Sequence, residues 1–215
     1  MNWRHIFWPS NLLSLGRVAL ALPLGYCLSL RTPEGTIAAV VILAVAGVTD
    51  FLDGYLARRS GHVSSLGAAL DPVADKVFVA ALILYLIAYR DFPIWLAVML
   101  VGRDLVLLFG GLVLLRKNRP TIPARLYGKY LFFATVFLLG GYILEYRFGA
   151  AFSTVFVLGL CAVSLVDYAW VFARVIRGEE LPSYDEKRQW KTVRVAVTAL
   201  AVMVYLIGWA VEKLG

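Results

Sequence analysis

The sequence predicts an all-α, polytopic integral membrane protein with seven transmembrane helices. Three observations carry this. Of the 215 residues, 61% are hydrophobic and only 16% are charged, against roughly a quarter charged in soluble domains. Long apolar runs, about 20 residues each and so long enough to cross a bilayer, recur along the whole chain. Lys and Arg collect on alternate connections between those runs. The net charge of +7 is spread beside apolar segments rather than along one basic face. It fits a membrane surface or anionic substrates, and no nucleic acid partner is expected. Cys27 and Cys161 lie far apart in apolar runs and read as packing residues.

Met1 to Pro9 combines Trp3, Phe7 and Trp8 with Arg4 and His5, a composition suited to the membrane interface. No small-residue cleavage site follows the first apolar run, so that run is expected to stay as an anchor. The first span covers about Leu12 to Leu30, with Asn11 and Arg17 at its entry. Pro33 and Gly35 mark a short loop before the second span, about Thr36 to Ala57. Arg58 to His62 is a polar loop, and the third span runs from about Leu66 to Tyr89. Pro72 near its start suits a first helical turn or a local kink. After a tight turn at Arg90 to Pro93, the fourth span covers about Ile94 to Leu115 and carries Arg103-Asp104 in its interior. A basic connection follows, with Arg116, Lys117, Arg119, Arg125 and Lys129. The fifth span is expected over about Tyr130 to Tyr146, where Gly140-Gly141 permits close helix approach or a bend. The sixth covers about Ala150 to Val175, and a polar stretch from Arg177 to Lys191 leads to the seventh, about Val193 to Val211.

The alternate connections differ sharply in charge. With the N-terminus inside, the outer segments hold only Arg31, Arg90, Arg147 and Lys213, and all other Lys and Arg outside the spans fall inside. This asymmetry places the N-terminus in the cytoplasm and the C-terminus outside. The end of span two and the start of span three then face the cytoplasm.

Those two segments hold four aspartates: Asp50, Asp53, Asp71 and Asp75. Carboxylates are costly in hydrocarbon, so this grouping marks a functional site. Spacings of three and four residues put each pair on one face of its helix. Four clustered carboxylates need cations between them. Oxygen donors with neither His nor Cys among them point to Mg²⁺ or Mn²⁺. A two-ion site suits phosphoryl chemistry, where attacking and leaving oxygens are both held.

The pattern Asp50-x-x-Asp53-Gly54-x-x-Ala57-Arg58, eight residues, Gly67-x-x-x-Asp71-x-x-x-Asp75 resembles the signature of the CDP-alcohol phosphatidyltransferases, with every fixed position filled. The resemblance extends from about Asn11 to about Gly178. It implies a six-helix core domain over residues 1–178, with 179–215 a polar linker and an added seventh, C-terminal transmembrane helix. It implies that Asp53, Gly54, Ala57, Arg58, Gly67 and Asp71 bind the CDP part of CDP-diacylglycerol while its acyl chains stay in the bilayer. Asp50, Asp53 and Asp71 are then metal ligands, and Asp75 is the general base, also touching a metal. Attack of an acceptor hydroxyl on the β-phosphorus releases CMP.

The run Gly67-Ala68-Ala69-Leu70-Asp71-Pro72-Val73-Ala74-Asp75-Lys76 is similar to the form found in family members that use glycerol-3-phosphate or phosphatidylglycerol. Arg103-Asp104 and Gly128-Lys129 resemble further pairs of those enzymes. The chain departs from the glycerol-3-phosphate branch at Tyr130 to Phe133, where a second lysine and a threonine are usual. Arg103, Arg125 and Lys129 can form a cationic pocket for an acceptor phosphate, which favours a small phosphorylated alcohol, glycerol-3-phosphate, over phosphatidylglycerol. A homodimer in the cell (inner) membrane, with its site facing the cytoplasm, is the expected assembly. A cation transporter is the competing class. The crowding of all four aspartates at one membrane face argues against it, since a pathway needs polar groups through the full depth.

The charge asymmetry makes a direct prediction. A reporter fused after Gly215 reads as outside the cytoplasm, and one fused within the 180–187 connection reads as inside. A cytoplasmic signal from the C-terminal fusion overturns the seven-span topology.

Overall fold

A computed structural model describes the backbone of residues 9–60, 65–117, 119–120, 122, 126–179 and 188–214. It describes the side chains of 16–49, 76–117, 119–120, 122, 126–179 and 198–212. The interfacial reading of the first eight residues, the loop at 61–64 and Arg125 lie outside the described residues. Among those described there are seven helices: α1 (Pro9–Ser29), α2 (Pro33–Ser60), α3 (Ser65–Tyr89), α4 (Ile94–Arg116), α5 (Leu126–Ile143), α6 (Arg147–Arg177) and α7 (Arg188–Leu214). They match the seven apolar runs in order. Helices α4, α5 and α6 are each long and apolar enough to cross a membrane. The described parts of α2, α3 and α7 contribute shorter apolar stretches, Pro33–Thr49, Lys76–Tyr89 and Thr198–Glu212. Large apolar side chains such as Val98, Leu105, Phe109 and Leu112 of α4 are exposed. An apolar surface of that extent suits lipid rather than water. The chain divides into two compact units, Met1–Ile94 and Trp95–Gly215.

In the first unit, α1 packs against both α2 and α3. Leu24 and Leu28 of α1, Ala39 and Ala46 of α2, and Phe78, Leu82 and Leu86 of α3 are buried. The turn after α1 reverses at Arg31, with φ 50. Thr32 Oγ1 then accepts the Gly35 N–H at 3.1 Å, and Pro33 supplies the first helical residue of α2. Arg90 Nη2 donates to Thr36 Oγ1 at 2.9 Å, tying the end of α3 to the start of α2. Because α3 begins at Ser65, Pro72 lies inside the helix rather than in its first turn.

In the second unit, α5 and α6 form a tight hairpin. A Cβ at Gly141 would lie 2.9 Å from the Ala150 nitrogen, whereas Gly140 faces open space. The close approach foreseen for this glycine pair therefore rests on Gly141 alone. The fifth helix also ends earlier than its apolar run. Glu145 adopts φ 52, and the Tyr146 N–H donates to the Gly141 carbonyl at 2.8 Å, so the chain leaves the helix after Ile143. Tyr146 consequently sits in the turn, fully buried.

That displaced tyrosine is where α7 docks. Its hydroxyl donates to the Tyr205 carbonyl at 2.9 Å, and the two rings meet edge-on at 5.1 Å. The Tyr205 hydroxyl donates to the Phe137 carbonyl of α5 at 3.2 Å. Glu212 accepts from the backbone N–H groups of Arg147 and Phe148, both at 3.1 Å. A carboxylate from α7 thus closes the positive N-terminus of α6. Burial, and then the Glu212 carboxylate, push the Tyr146 phenol above its usual range, so it stays a donor.

This docking depends on a missing side chain. A Cβ at Gly208 would lie 2.5 Å from both the Phe148 ring and the Tyr146 hydroxyl. Gly208→Leu is expected to cost about 1–3 kcal/mol through overpacking. Glu212→Gln is expected to cost about 0.3–1 kcal/mol through loss of the helix-end charge. Thermal unfolding in detergent checks both, and an unchanged Tm for Gly208→Leu contradicts the docking.

Candidate functional site

The four aspartates fall in pairs on two helices. Asp50 and Asp53 belong to the last turns of α2, with Gly54, Ala57 and Arg58 after them, and Gly67, Asp71 and Asp75 belong to the first part of α3. Both segments are helical, so each acidic pair shares a helix face by register. Their side chains lie outside the described residues, as do those of Gly54, Ala57, Arg58 and Gly67. Among the described residues there is no group of three or more His, Cys, Asp or Glu able to hold a metal. The chemistry of the aspartate set fits a hard divalent cation: four carboxylates on helical backbone, with no softer donor in the set.

Helix α1 contacts both helices that carry these aspartates. It contributes Arg17, which is 3% exposed. A snorkelling arginine would keep its head in a polar surface. Burial instead requires compensation by acceptors or anionic charge within the protein.

The second unit holds another polar centre, in an otherwise apolar setting. Arg103 projects from α4, and its Nη1 donates to Asp104 Oδ1 at 2.9 Å. Its Nη2 donates to Ser164 Oγ of α6 at 2.7 Å. A Cβ at Gly128 of α5 would stand 3.4 Å from the same Nη2. Three helices therefore converge on one guanidinium. The Arg103 side chain is 13% exposed and that of Asp104 is 37% exposed, so the pair opens toward its surroundings through the carboxylate. Arg103 Nε is buried and donates to nothing among the described residues.

Of the residues predicted for an acceptor phosphate, the structure brings Arg103 against Gly128, the neighbour of Lys129. Lys129 itself is exposed on the first turn of α5, and Arg125 lies outside the described residues. Ser164, 5% exposed, escaped the sequence reading. A serine in an apolar span passes for a small packing residue. Its signal lies in the Ser164-x-x-Asp167 spacing, which puts two polar groups on one face of α6.

Arg103 and Tyr168 hold α4 to α6 at two levels. The Tyr168 hydroxyl donates to the Leu107 carbonyl at 3.0 Å. Leu114, Val171 and Val175 form a buried apolar cluster beyond it. The guanidinium is thus set in a packed frame, which gives its free donor a fixed direction.

A family model, CDP-alcohol phosphatidyltransferase, matches residues 7–213. The match continues through α7, past the boundary at residue 178 drawn from the motif. Among curated proteins, the chain is similar to a cardiolipin synthase (CMP-forming) of Streptomyces coelicolor, 37% identical over 123 residues, covering 55% of this chain and 57% of the relative. A rat cardiolipin synthase (CMP-forming) is 41% identical over 113 residues, 52% of this chain and 36% of its own length. A CDP-diacylglycerol–glycerol-3-phosphate 3-phosphatidyltransferase of Aquifex aeolicus is 31% identical over 169 residues, 75% of this chain and 90% of the relative. The aligned part of the two cardiolipin synthases is thus between about a third and three-fifths of their own length.

Proposed function

Because the chain belongs to the CDP-alcohol phosphatidyltransferase family, we propose that it moves a phosphatidyl group from CDP-diacylglycerol to glycerol-3-phosphate and releases CMP. The observation that carries this reading is the family match over almost the whole chain, with the complete eight-position aspartate signature inside it. The nearly full-length similarity to the Aquifex glycerol-3-phosphate enzyme supports the choice of acceptor. The higher identity to the cardiolipin synthases, over a shorter segment, favours a second reading in which phosphatidylglycerol is the acceptor.

In either case the reaction balances in the same way. The acceptor hydroxyl oxygen bonds to the β-phosphorus, the bond from that phosphorus to the bridging oxygen breaks, and CMP departs with the bridging electrons. The hydroxyl proton passes to Asp75, whose carboxylate is a weak base toward an alcohol. The family uses divalent metal ions, and here magnesium or manganese is inferred. Two such ions, held by Asp50, Asp53, Asp71 and Asp75, would neutralise the pyrophosphate and acidify the acceptor hydroxyl. Arg58 adds a charge-assisted hydrogen bond to a phosphate of the CDP moiety. Gly54, Ala57 and Gly67 keep side chains out of the way of the nucleotide. Arg103, Lys129 and Arg125 receive the phosphate of the acceptor. The membrane-spanning helices keep the chain where its lipid donor resides. The proposed setting is the inner membrane, with the site open to the cytoplasm, and the proposed assembly is a homodimer.

Asp50→Asn, Asp53→Asn and Asp71→Asn are each expected to abolish CMP release while the protein still inserts and folds. Release of labelled CMP from CDP-diacylglycerol by the purified variants measures this. Near-normal turnover in any two of them removes the metal-ligand assignment. Chelation with verified loss of metal is likewise expected to stop the reaction, and added Mg²⁺ or Mn²⁺ to restore it.

The acceptor is decided by saturation curves with glycerol-3-phosphate and with phosphatidylglycerol. Arg103→Ala and Lys129→Ala are expected to raise the acceptor KM about ten- to a hundred-fold, the loss of one charge-assisted hydrogen bond. Their KM for the CDP-lipid should stay close to normal, and Arg58→Ala should show the reverse bias. Turnover of phosphatidylglycerol alone by the unmodified protein selects the second reading.

A further inference from the structure

The guanidinium of Arg103 is held by Asp104 of its own helix and by Ser164 of α6, and Ser164 has no role in the reading above. We infer that Ser164 is a positioning residue: its buried hydroxyl fixes Arg103 so that the unshared Nε–H is presented to a phosphate oxygen of the acceptor. This rests on the proposal that Arg103 binds the acceptor.

Four observations support it. Ser164 Oγ accepts from Nη2 at 2.7 Å, a short charge-assisted bond. Asp104 Oδ1 takes Nη1 at 2.9 Å, so the two ends of the planar guanidinium are tied in different directions. Two anchors on a rigid plane fix its orientation, which one alone does not. The backbone of α5 stands beside Nη2, since a Cβ at Gly128 would come within 3.4 Å of it. The third donor, Nε, is buried and donates to nothing among the described residues. A buried donor on a cation is costly to leave unmade, and an anionic oxygen is the chemistry that satisfies it.

The hydroxyl of Ser164 matters here for a reason beyond packing. Serine is a donor as well as an acceptor. By accepting from Arg103 its oxygen keeps the cation in place without neutralising it. An aspartate at residue 164 would add a second carboxylate beside Asp104 and leave the group net negative, which repels a phosphate. An alanine would free Nη2 and let the guanidinium swing about the Asp104 contact. The ligand class is a phosphate oxygen of the acceptor, whether monoester or diester.

The test uses full-length protein in detergent or lipid nanodiscs. Ser164→Ala, Ser164→Thr, Arg103→Ala and the Ser164→Ala/Arg103→Ala double variant are compared. KM and kcat are measured for CDP-diacylglycerol, glycerol-3-phosphate and phosphatidylglycerol. Ser164→Ala is expected to raise the KM of whichever acceptor is used about three- to tenfold, the loss of one hydrogen bond to a charged group. The KM for the CDP-lipid stays unchanged, Ser164→Thr restores the acceptor KM, and Ser164→Ala adds nothing once Arg103 is gone.

If Arg103→Ala raises the acceptor KM while Ser164→Ala leaves it normal in a protein of unchanged Tm, Arg103 binds the acceptor without help from Ser164. The inference then fails and the reading beneath it stands. If Arg103→Ala leaves the acceptor KM normal, the reading itself fails and the inference with it. An additive effect of the two changes also overturns it, because Ser164 would then act by a route other than Arg103.

Discussion

A charged group within a membrane helix must be compensated by the protein around it, because hydrocarbon offers neither water nor counter-ion. That constraint organises the polar chemistry of this chain. Arg103 answers it with a neighbouring carboxylate and a serine from another helix. Arg17, buried in the unit that carries the acidic helices, must meet it with acceptors or anionic charge from the protein itself. The four aspartates of α2 and α3 cannot answer it with one another, since like charges repel. This is the physical reason to read them as ligands of cations rather than as structural residues.

The same constraint shapes the helix ends. The turns after α1, α3 and α5 each pass through a non-glycine residue in the left-handed region: Arg31, Asp91 and Glu145. All three are polar and sit where the chain reverses within a few residues. The reversal after α5 places Tyr146 under α7, and Glu212 then supplies the acceptors that the first turn of α6 lacks. An apolar run that continued straight through Tyr146 would have left both of those partners unmet. The seventh helix is therefore joined to α5 and α6 by specific polar bonds.

The sequence disclosed all seven helices because each apolar run has a length that only a membrane or a buried helix explains. It disclosed the aspartate signature because the spacings of three and four residues are tied to helical register. The ends of α5 were misjudged for a clear reason. Hydropathy does not register a change of backbone hand, and one glutamate between Leu144 and Tyr146 did not break the apolar pattern. Ser164 was missed because its meaning comes from Arg103, 61 residues earlier in the chain, and no local pattern links the two. Gly128 was found through a motif, but its function as backbone clearance for a guanidinium was visible only with both helices in place.

The choice between acceptors depends on a charge count around Arg103. Asp104 ties one side of the guanidinium, so the pair carries almost no net charge as seen from a distance. A phosphodiester, with a single negative charge, can be oriented by the free Nε–H alone. A phosphomonoester carries up to two charges at neutral pH and needs further cations to offset its desolvation. Lys129, exposed one residue beyond Gly128, is the nearest such cation along α5. A lysine on a flexible stem binds as a point charge without fixing orientation. In the proposed acceptor site, Arg103 would set the geometry of the phosphate, and Lys129 would set how much negative charge is tolerated there. Loss of geometry and loss of charge weaken binding in different ways. The first affects both acceptors alike. The second weighs more heavily on the dianion, and it is this difference that separates glycerol-3-phosphate from phosphatidylglycerol at a site built from the same residues.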